Sequence, residues 1–368
     1  MRIRRTQRAA EGVAGYLFLL PFLLWLLIFF AYAFVRSVYF SFTDYNLFQP
    51  PVWTGLANYL ALFREPLFLT ALRNSLAFAL VVTPAQTLLA FLLALVLNQK
   101  LRGILAFRSA YYMPSVTSSI VITLIFIWLY QRQGAINYLL TLGRAYGHLV
   151  LAGLALLVLF QLAQVLLERR RGLPAGWTDP VLGLSSLFLA VGAVAALVAA
   201  GVLPLARPAD PVSIIWLNTT DRFPQGPISA PIPLIAIMLM NIWTTAPTFM
   251  LLYLAGLQDV PRELYEAAAV DGAKPWQQVV HITWPQLRPV TFLVLTLGLI
   301  GTLQMFDQVA IIGDQAPLQS TITLAYYVYH NAFPPGAIPR LGMASAAAVV
   351  LAVLTLCVVW LQRRVLRY

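Results

Sequence analysis

Eight stretches of the chain are apolar over most of their length, and short polar or charged segments separate them. They run from about Val13 to Val35, Leu76 to Leu97, Ala110 to Tyr130, Leu149 to Leu167, Val181 to Leu203, Ile232 to Ala255, Val290 to Ile312 and Gly342 to Leu361. Each approaches the ~20 residues that a helix needs to cross a hydrocarbon core of about 30 Å. The pattern predicts an all-α, polytopic membrane protein of about eight transmembrane helices, with both termini on one side. The first stretch is too long for the apolar region of a secretory signal, and no small-residue cleavage site follows it, so it reads as a retained span.

One interruption is unlike the others. Between the sixth and seventh stretches lies PRELYEAAAVDGAKPWQQVVHITWPQLRP, Pro261 to Pro289. With the adjacent Asp259 it carries four of the chain's 13 acidic residues. Glu263, Glu266, Ala267 and Ala268 favour helix, and early acids suit the positive end of its dipole. Asp271-Gly272 predicts a stop, because glycine tolerates the left-handed backbone needed there. Pro275, Pro285 and Pro289 forbid one continuous helix. A short helix, a bend and a second amphipathic piece are expected.

Glu266, Ala267, Ala268, Asp271, Gly272, Ala273, Ile282, Thr283 and Pro285 together resemble the "EAA loop" of permease subunits of ATP-binding-cassette sugar importers. Other segments carry the same resemblance: Asn58-Tyr59, Ala71-Leu72 with Asn74, Met113-Pro114, Gln133 to Asn137, and STITLAYYVYHNAF after the seventh stretch. It covers roughly residues 14–137 and 216–361, and it implies the permease core of a type I importer. Residues 1–12 would be a basic cytoplasmic N-terminus, 13–140 and 213–361 the two parts of that core, and 362–368 a cytoplasmic tail. The segment 141–212, with its two extra apolar stretches, departs from the family pattern and is expected to form an inserted transmembrane hairpin at the periphery.

Composition agrees with a membrane chain: 60% of residues are hydrophobic and only 10% charged, against about a quarter charged in soluble domains. The formal net charge of +11 is explained by topology. With the N-terminus inside, the cytoplasmic segments hold sixteen of the 24 Lys and Arg, including both lysines, as the positive-inside rule requires. This basic balance suits anionic membrane lipid, and no soluble basic face for nucleic acid is evident. The single cysteine, Cys357, excludes an intrachain disulfide.

The chain has no phosphate loop of the form Gly-x-x-x-x-Gly-Lys-Ser/Thr, so ATP hydrolysis is expected in a separate subunit, which would also hold the ATP and Mg. His148, His281 and His330 are isolated, which argues against a catalytic metal. The resemblance implies the partners: an ATPase subunit dimer that receives the loop as a coupling helix, a second permease, and an extracytoplasmic solute-binding protein. It also implies a bacterial or archaeal cytoplasmic (inner) membrane. The coupling residues it points to are Glu263, Glu266, Ala267, Ala268, Asp271, Gly272, Ala273 and Pro285.

Polar residues inside the spans are the candidates for a solute path. Asn241, Thr244 and Thr245 share one helical face by their spacing, with Trp243 beside them. Gln304, Asp307 and Gln308 repeat that spacing on the seventh stretch, and Ser115, Ser118 and Ser119 on the third. In maltose-type relatives, positions corresponding to Asn241 and Gln304 contact sugar. Interhelical hydrogen bonding explains the same residues equally well. The expected function is permeation of a sugar or oligosaccharide. A glycerol phosphate ester or polyol is the alternative solute, and a membrane-embedded lipid or glycan enzyme or a self-contained carrier are the alternatives of another class.

Overall fold

The computed structural model describes residues 2–99, 104–171, 176–177, 179–204, 211–224 and 229–365. The chain divides into two compact units, one of residues 1–126 and 217–368, the other Ile127–Trp216.

The first unit opens with α1 (Arg2–Leu26), which runs through one π turn into α2 (Tyr32–Ser41). A two-residue ribbon, β1 (Thr43–Asp44) against β2 (Val52–Trp53), and the short α3 (Ala57–Leu62) lead to α4 (Pro66–Leu97). Pro66 begins α4 at a position where its missing N–H has no intrahelical role. The buried residues of α4 recur every three or four positions, through Phe68, Ala71, Ser75, Ala79, Val82, Gln86, Ala90 and Ala94. Leu80, Leu88 and Leu92 face outward and suit lipid. After α4 come α5 (Ile104–Val116) and α6 (Ser119–Leu129).

The second unit is a helical hairpin of α7 (Ala135–Arg170) and α8 (Pro180–Ala199). Asp179 caps α8 by accepting from the Val181 and Leu182 amides at 2.9 and 3.4 Å. Arg169 and Arg170 end α7, where the helix dipole favours cations. Two Ser–Gln pairs cross between the helices: Ser186 Oγ donates to Gln161 Oε1 and Ser185 Oγ to Gln164 Oε1, both at 2.7 Å. These two pairs tie the helices together and fix their register.

The chain re-enters the first unit through the ribbon β3 (Arg222–Phe223) and β4 (Ala230–Pro231), then α9 (Ile232–Gln258). The segment that interrupts the sixth and seventh stretches supplies α10 (Arg262–Val270), α11 (Pro275–Gln278), a π turn and α12 (Trp284–Gln286). Beyond it lie α13 (Arg288–Leu303), α14 (Asp307–Ile312), α15 (Leu318–Thr321), α16 (Leu324–Ala332) and α17 (Leu341–Val365).

Helix α4 is the axis of the first unit, packed along its length on α9 and α13. Two apolar clusters hold it. Phe68, Ala71 and Ala79 meet Leu303, Tyr327 and Met343 near one end, and Phe91 and Ala94 meet Met250, Tyr253 and Leu287 near the other. Between them, Thr83 and Thr302 share a hydrogen bond of 3.0 Å. Gly298 of α13 lets the helices close there, since a Cβ would lie 2.8 Å from Gln86 Nε2 and 3.1 Å from Thr83 Cγ2.

Seven helices among the described residues are long and apolar enough to cross a membrane, and an eighth span exists if the bent pair α5–α6 is one. That pair corrects the expected continuous third span, because α5 and α6 meet at 98°. The cause is local. Pro114 lacks an N–H, Ser115 Oγ takes the Tyr112 carbonyl at 2.8 Å, and Thr117 Oγ1 takes the Met113 carbonyl at 2.8 Å. Ser115, Ser118 and Ser119 therefore do not share one helical face, since Ser118 lies in the break and is exposed.

The seventh stretch is also interrupted. Helix α13 stops at Leu303, Gln304 caps it, and α14 restarts at Asp307. The Met305 carbonyl is taken at 2.7 Å by the Thr323 hydroxyl. Gln304, Asp307 and Gln308 are thus not one face of a continuous helix, which corrects the expected spacing. The fourth stretch, expected from Leu149, is instead the end of a 36-residue helix.

Candidate functional site

Two regions carry the sequence-derived candidates. The first is α10 together with the α11–α12 segment. No residue of α10 is buried. Glu263, Glu266, Ala267 and Val270 are all exposed and fall on one face by their spacing, and Val270 is 89% exposed. Neither Glu263 nor Glu266 forms an ion pair among the described residues. Ala268 is half-buried on another side, as is Tyr265, whose hydroxyl meets buried Thr283 Oγ1 at 2.9 Å.

The helix stops by a closed hydrogen-bond pattern. The Gly272 amide donates to the Ala269 carbonyl at 3.1 Å, and the Ala273 amide to the Ala268 carbonyl at 2.8 Å. Asp271 is the last residue before the turn, and Gly272 has φ +78°. Nothing lies within 4 Å of a Cβ placed there, so the backbone alone demands glycine. Gln277 Oε1 then accepts the Lys274 amide at 2.7 Å to begin α11. Pro285 sits at the start of α12, half-buried. Trp276 on α11 is 61% exposed.

The second region is a cavity of about 210 Å³ in the first unit. Thr244, Thr245 and Thr248 of α9 form one wall, and Ser119 and Thr123 of α6 stand across from them, with Gln308 of α14 at the side. Ser115 and Thr117, from the bend between α5 and α6, complete a lining that is rich in hydroxyls and has no charged side chain. Asp307 stands beside it and accepts a hydrogen bond from Ser119 Oγ at 3.1 Å.

The candidates divide on this geometry. Thr244 and Thr245 reach the cavity, while Asn241 does not line it and instead accepts from Thr245 Oγ1 at 3.4 Å through Oδ1. Thr244 returns its hydroxyl to the Met240 and Asn241 carbonyls, both at 3.1 Å. Gln304 and Ser118 are exposed and lie outside the lining. Trp243 packs on Phe126 at 5.5 Å between centroids. Sequence reasoning missed Thr248 and Thr123, although each follows a candidate, Thr244 or Ser119, by one helical turn. Thr117 carried no such signal, because its position depends on the bend.

The family described as binding-protein-dependent transport system inner membrane component matches residues 176–367, just over half of the chain. This chain belongs to that family. The match takes in α9, the α10–α12 segment and all the helices beyond it. Among curated proteins, the chain is 26% identical to a lactose transport system permease protein of Rhizobium radiobacter, over 98% of this chain and 96% of the relative. It is 29% identical to an arabinooligosaccharides transport system permease protein of Bacillus subtilis, over 95% of this chain and 87% of the relative. Among solved structures, a chain of a bacterial ABC transporter that imports the acidic polysaccharide alginate has the same fold. The TM-score is 0.68 at 19% identity, covering 99% of this chain and 98% of that one. As a member of this family the chain is an ABC-type permease subunit of a transport system that works with a binding protein.

Proposed function

We propose that the chain forms half of a translocation pathway for a neutral sugar or oligosaccharide, driven by ATP hydrolysis in partner subunits and coupled through α10. The observation that carries this reading is the free acidic face of α10, ended by a glycine whose conformation no other residue adopts without strain. Glu266 is placed for a charge-assisted hydrogen bond to a basic residue in a groove of the ATPase. Ala267, exposed beside it, permits close approach. Helices α9 and α13 flank this segment, so a push on α10 moves the two spans that bracket α4, which is how alternating access would reach the cavity.

The lining of that cavity supports the choice of solute. Hydroxyls and an amide without a charged group suit a hydroxyl-rich neutral ligand, whereas a phosphate ester would call for Arg or Lys. A volume of about 210 Å³ is below the roughly 300 Å³ of an ordinary small-molecule site, so a second permease is expected to supply the facing wall. The similarity to lactose and arabinooligosaccharide permeases points the same way.

The test is solute-stimulated ATPase activity of the assembled transporter. Gly272→Pro removes the amide that closes α10, and Glu266→Lys reverses the docking charge. Both are expected to abolish stimulation while membrane insertion and subunit co-purification with an ATPase persist. Undiminished stimulation in correctly assembled variants would refute the coupling role.

A further inference from the structure

The two ends of α9 carry different features. At its C-terminal end is α10, and at its N-terminal end is the β3–β4 ribbon, about 40 Å away for a helix of 27 residues at 1.5 Å per residue. The ribbon is clamped by Arg222, which donates through Nε to Ser229 Oγ at 3.0 Å and through a terminal nitrogen to the Ser229 carbonyl at 2.7 Å. Arg73, from the second turn of α4, donates to the same carbonyl at 3.4 Å. Two guanidinium heads therefore stand side by side over one oxygen.

That arrangement is unbalanced. A carbonyl is a neutral dipole and cannot offset two unit charges. Among the described residues, neither arginine has a carboxylate within ion-pair distance. Both side chains are exposed, and most of their five N–H donors each have no partner among the described residues. Desolvation first, and then the charge of Arg73, hold the Arg222 guanidinium below its usual range. An arriving anion would relieve the repulsion and satisfy the free forks with paired N–H···O bonds. Arg73 lies in the early part of α4, before the apolar stretch that begins at Leu76, and Arg222 lies in the connection between spans, so the pair sits near the end of the apolar length of α4.

We infer that Arg73 and Arg222 form a receptor for a surface carboxylate of the solute-binding protein, which docks on the face opposite α10. This rests on the transport reading, which makes the face opposite α10 extracytoplasmic. The family is dependent on a binding protein, so a protein partner arrives at that face in every cycle. A paired guanidinium site would orient it and raise its rate of encounter.

The experiment uses the complete transporter in nanodiscs of neutral phosphatidylcholine, titrated with its solute-loaded binding protein over a potassium chloride series. Arg73→Gln and Arg222→Gln are each expected to weaken docking about tenfold and to flatten its salt dependence, with ATPase activity at saturating binding protein unchanged. Arg73 makes only one long hydrogen bond to the ribbon, so its variant tests charge without releasing the clamp. Arg73→Glu is expected to abolish docking, and an Asp or Glu to Lys change on the binding protein to restore it. Unaltered affinity and salt dependence in both glutamine variants would overturn the assignment. So would a weakening seen only in vesicles containing phosphatidylglycerol, which would give the pair to a lipid phosphate. A wild-type transporter to which the binding protein does not dock would overturn the transport reading as well.

Discussion

Gln86 lies wholly inside the junction of α4, α9 and α13, and neither its amide nitrogen nor its amide oxygen is hydrogen-bonded to any described residue. Leaving such a group unpaired costs about 1–3 kcal/mol, so its contact with Gly298 is held by surrounding packing and not by its own bonds. A methyl added at Gly298 would meet the Gln86 amide at 2.8 Å. Gly298→Ala is therefore expected to lower the thermal midpoint of the assembled transporter. In a Gln86→Ala background the same change should cost about 1 kcal/mol less, because its obstruction is gone. Scanning fluorimetry of the two singles and the double measures this, and strict additivity would show that the crowding does not matter. A lone glutamine in the apolar run of α4 was visible in the sequence. Its lack of a partner was not, because that depends on which faces of α9 and α13 arrive beside it.

Single elements differ in how far their local sequence decides them. The three-part form of the α10–α12 segment was legible because its signals are short-range: early acids, Asp271-Gly272, and prolines at fixed intervals. The breaks after Val116 and Leu303 were not legible from apolar periodicity, which runs across both. The first break arises from hydroxyls competing for carbonyls within one turn, and the second needs Thr323, eighteen residues beyond Met305. That is also why Asn241, Thr244 and Thr245 stay on one helix, although Asn241 falls outside the cavity lining, while the serine and glutamine sets are each split by a break. Tyr265 is the tie between α10 and the π turn behind it. Tyr265→Phe deletes its bond to Thr283 at a cost of about 1 kcal/mol and leaves the ring in place. Stimulated ATPase activity is expected to fall several-fold with unchanged assembly, and full retention would show that α10 needs no brace.

Across the whole molecule, the transport reading depends on the orientation expected from the positions of Lys and Arg. Cys357 is the only cysteine, and it is exposed, so Cys357→Ser gives a benign background for labelling. A cysteine at Val270, 89% exposed, is expected to react with a membrane-impermeant maleimide only from the cytoplasmic side. One at Thr219, beyond the other end of α9, should react only from outside. Labelling of both from the same side would contradict eight crossings as well as the assigned direction.

The bends at Thr117–Ser118 and Gln304–Phe306 interrupt the regular backbone ladders of α5–α6 and α13–α14, and hydrocarbon does not replace a lost backbone bond. In the transport proposal, a second subunit or a wet channel covers that flank. On that proposal, a copy made without its companions would present two helix interruptions to lipid, which is where a membrane protease would find it. Balanced synthesis of the subunits would then follow from two short interruptions of helix.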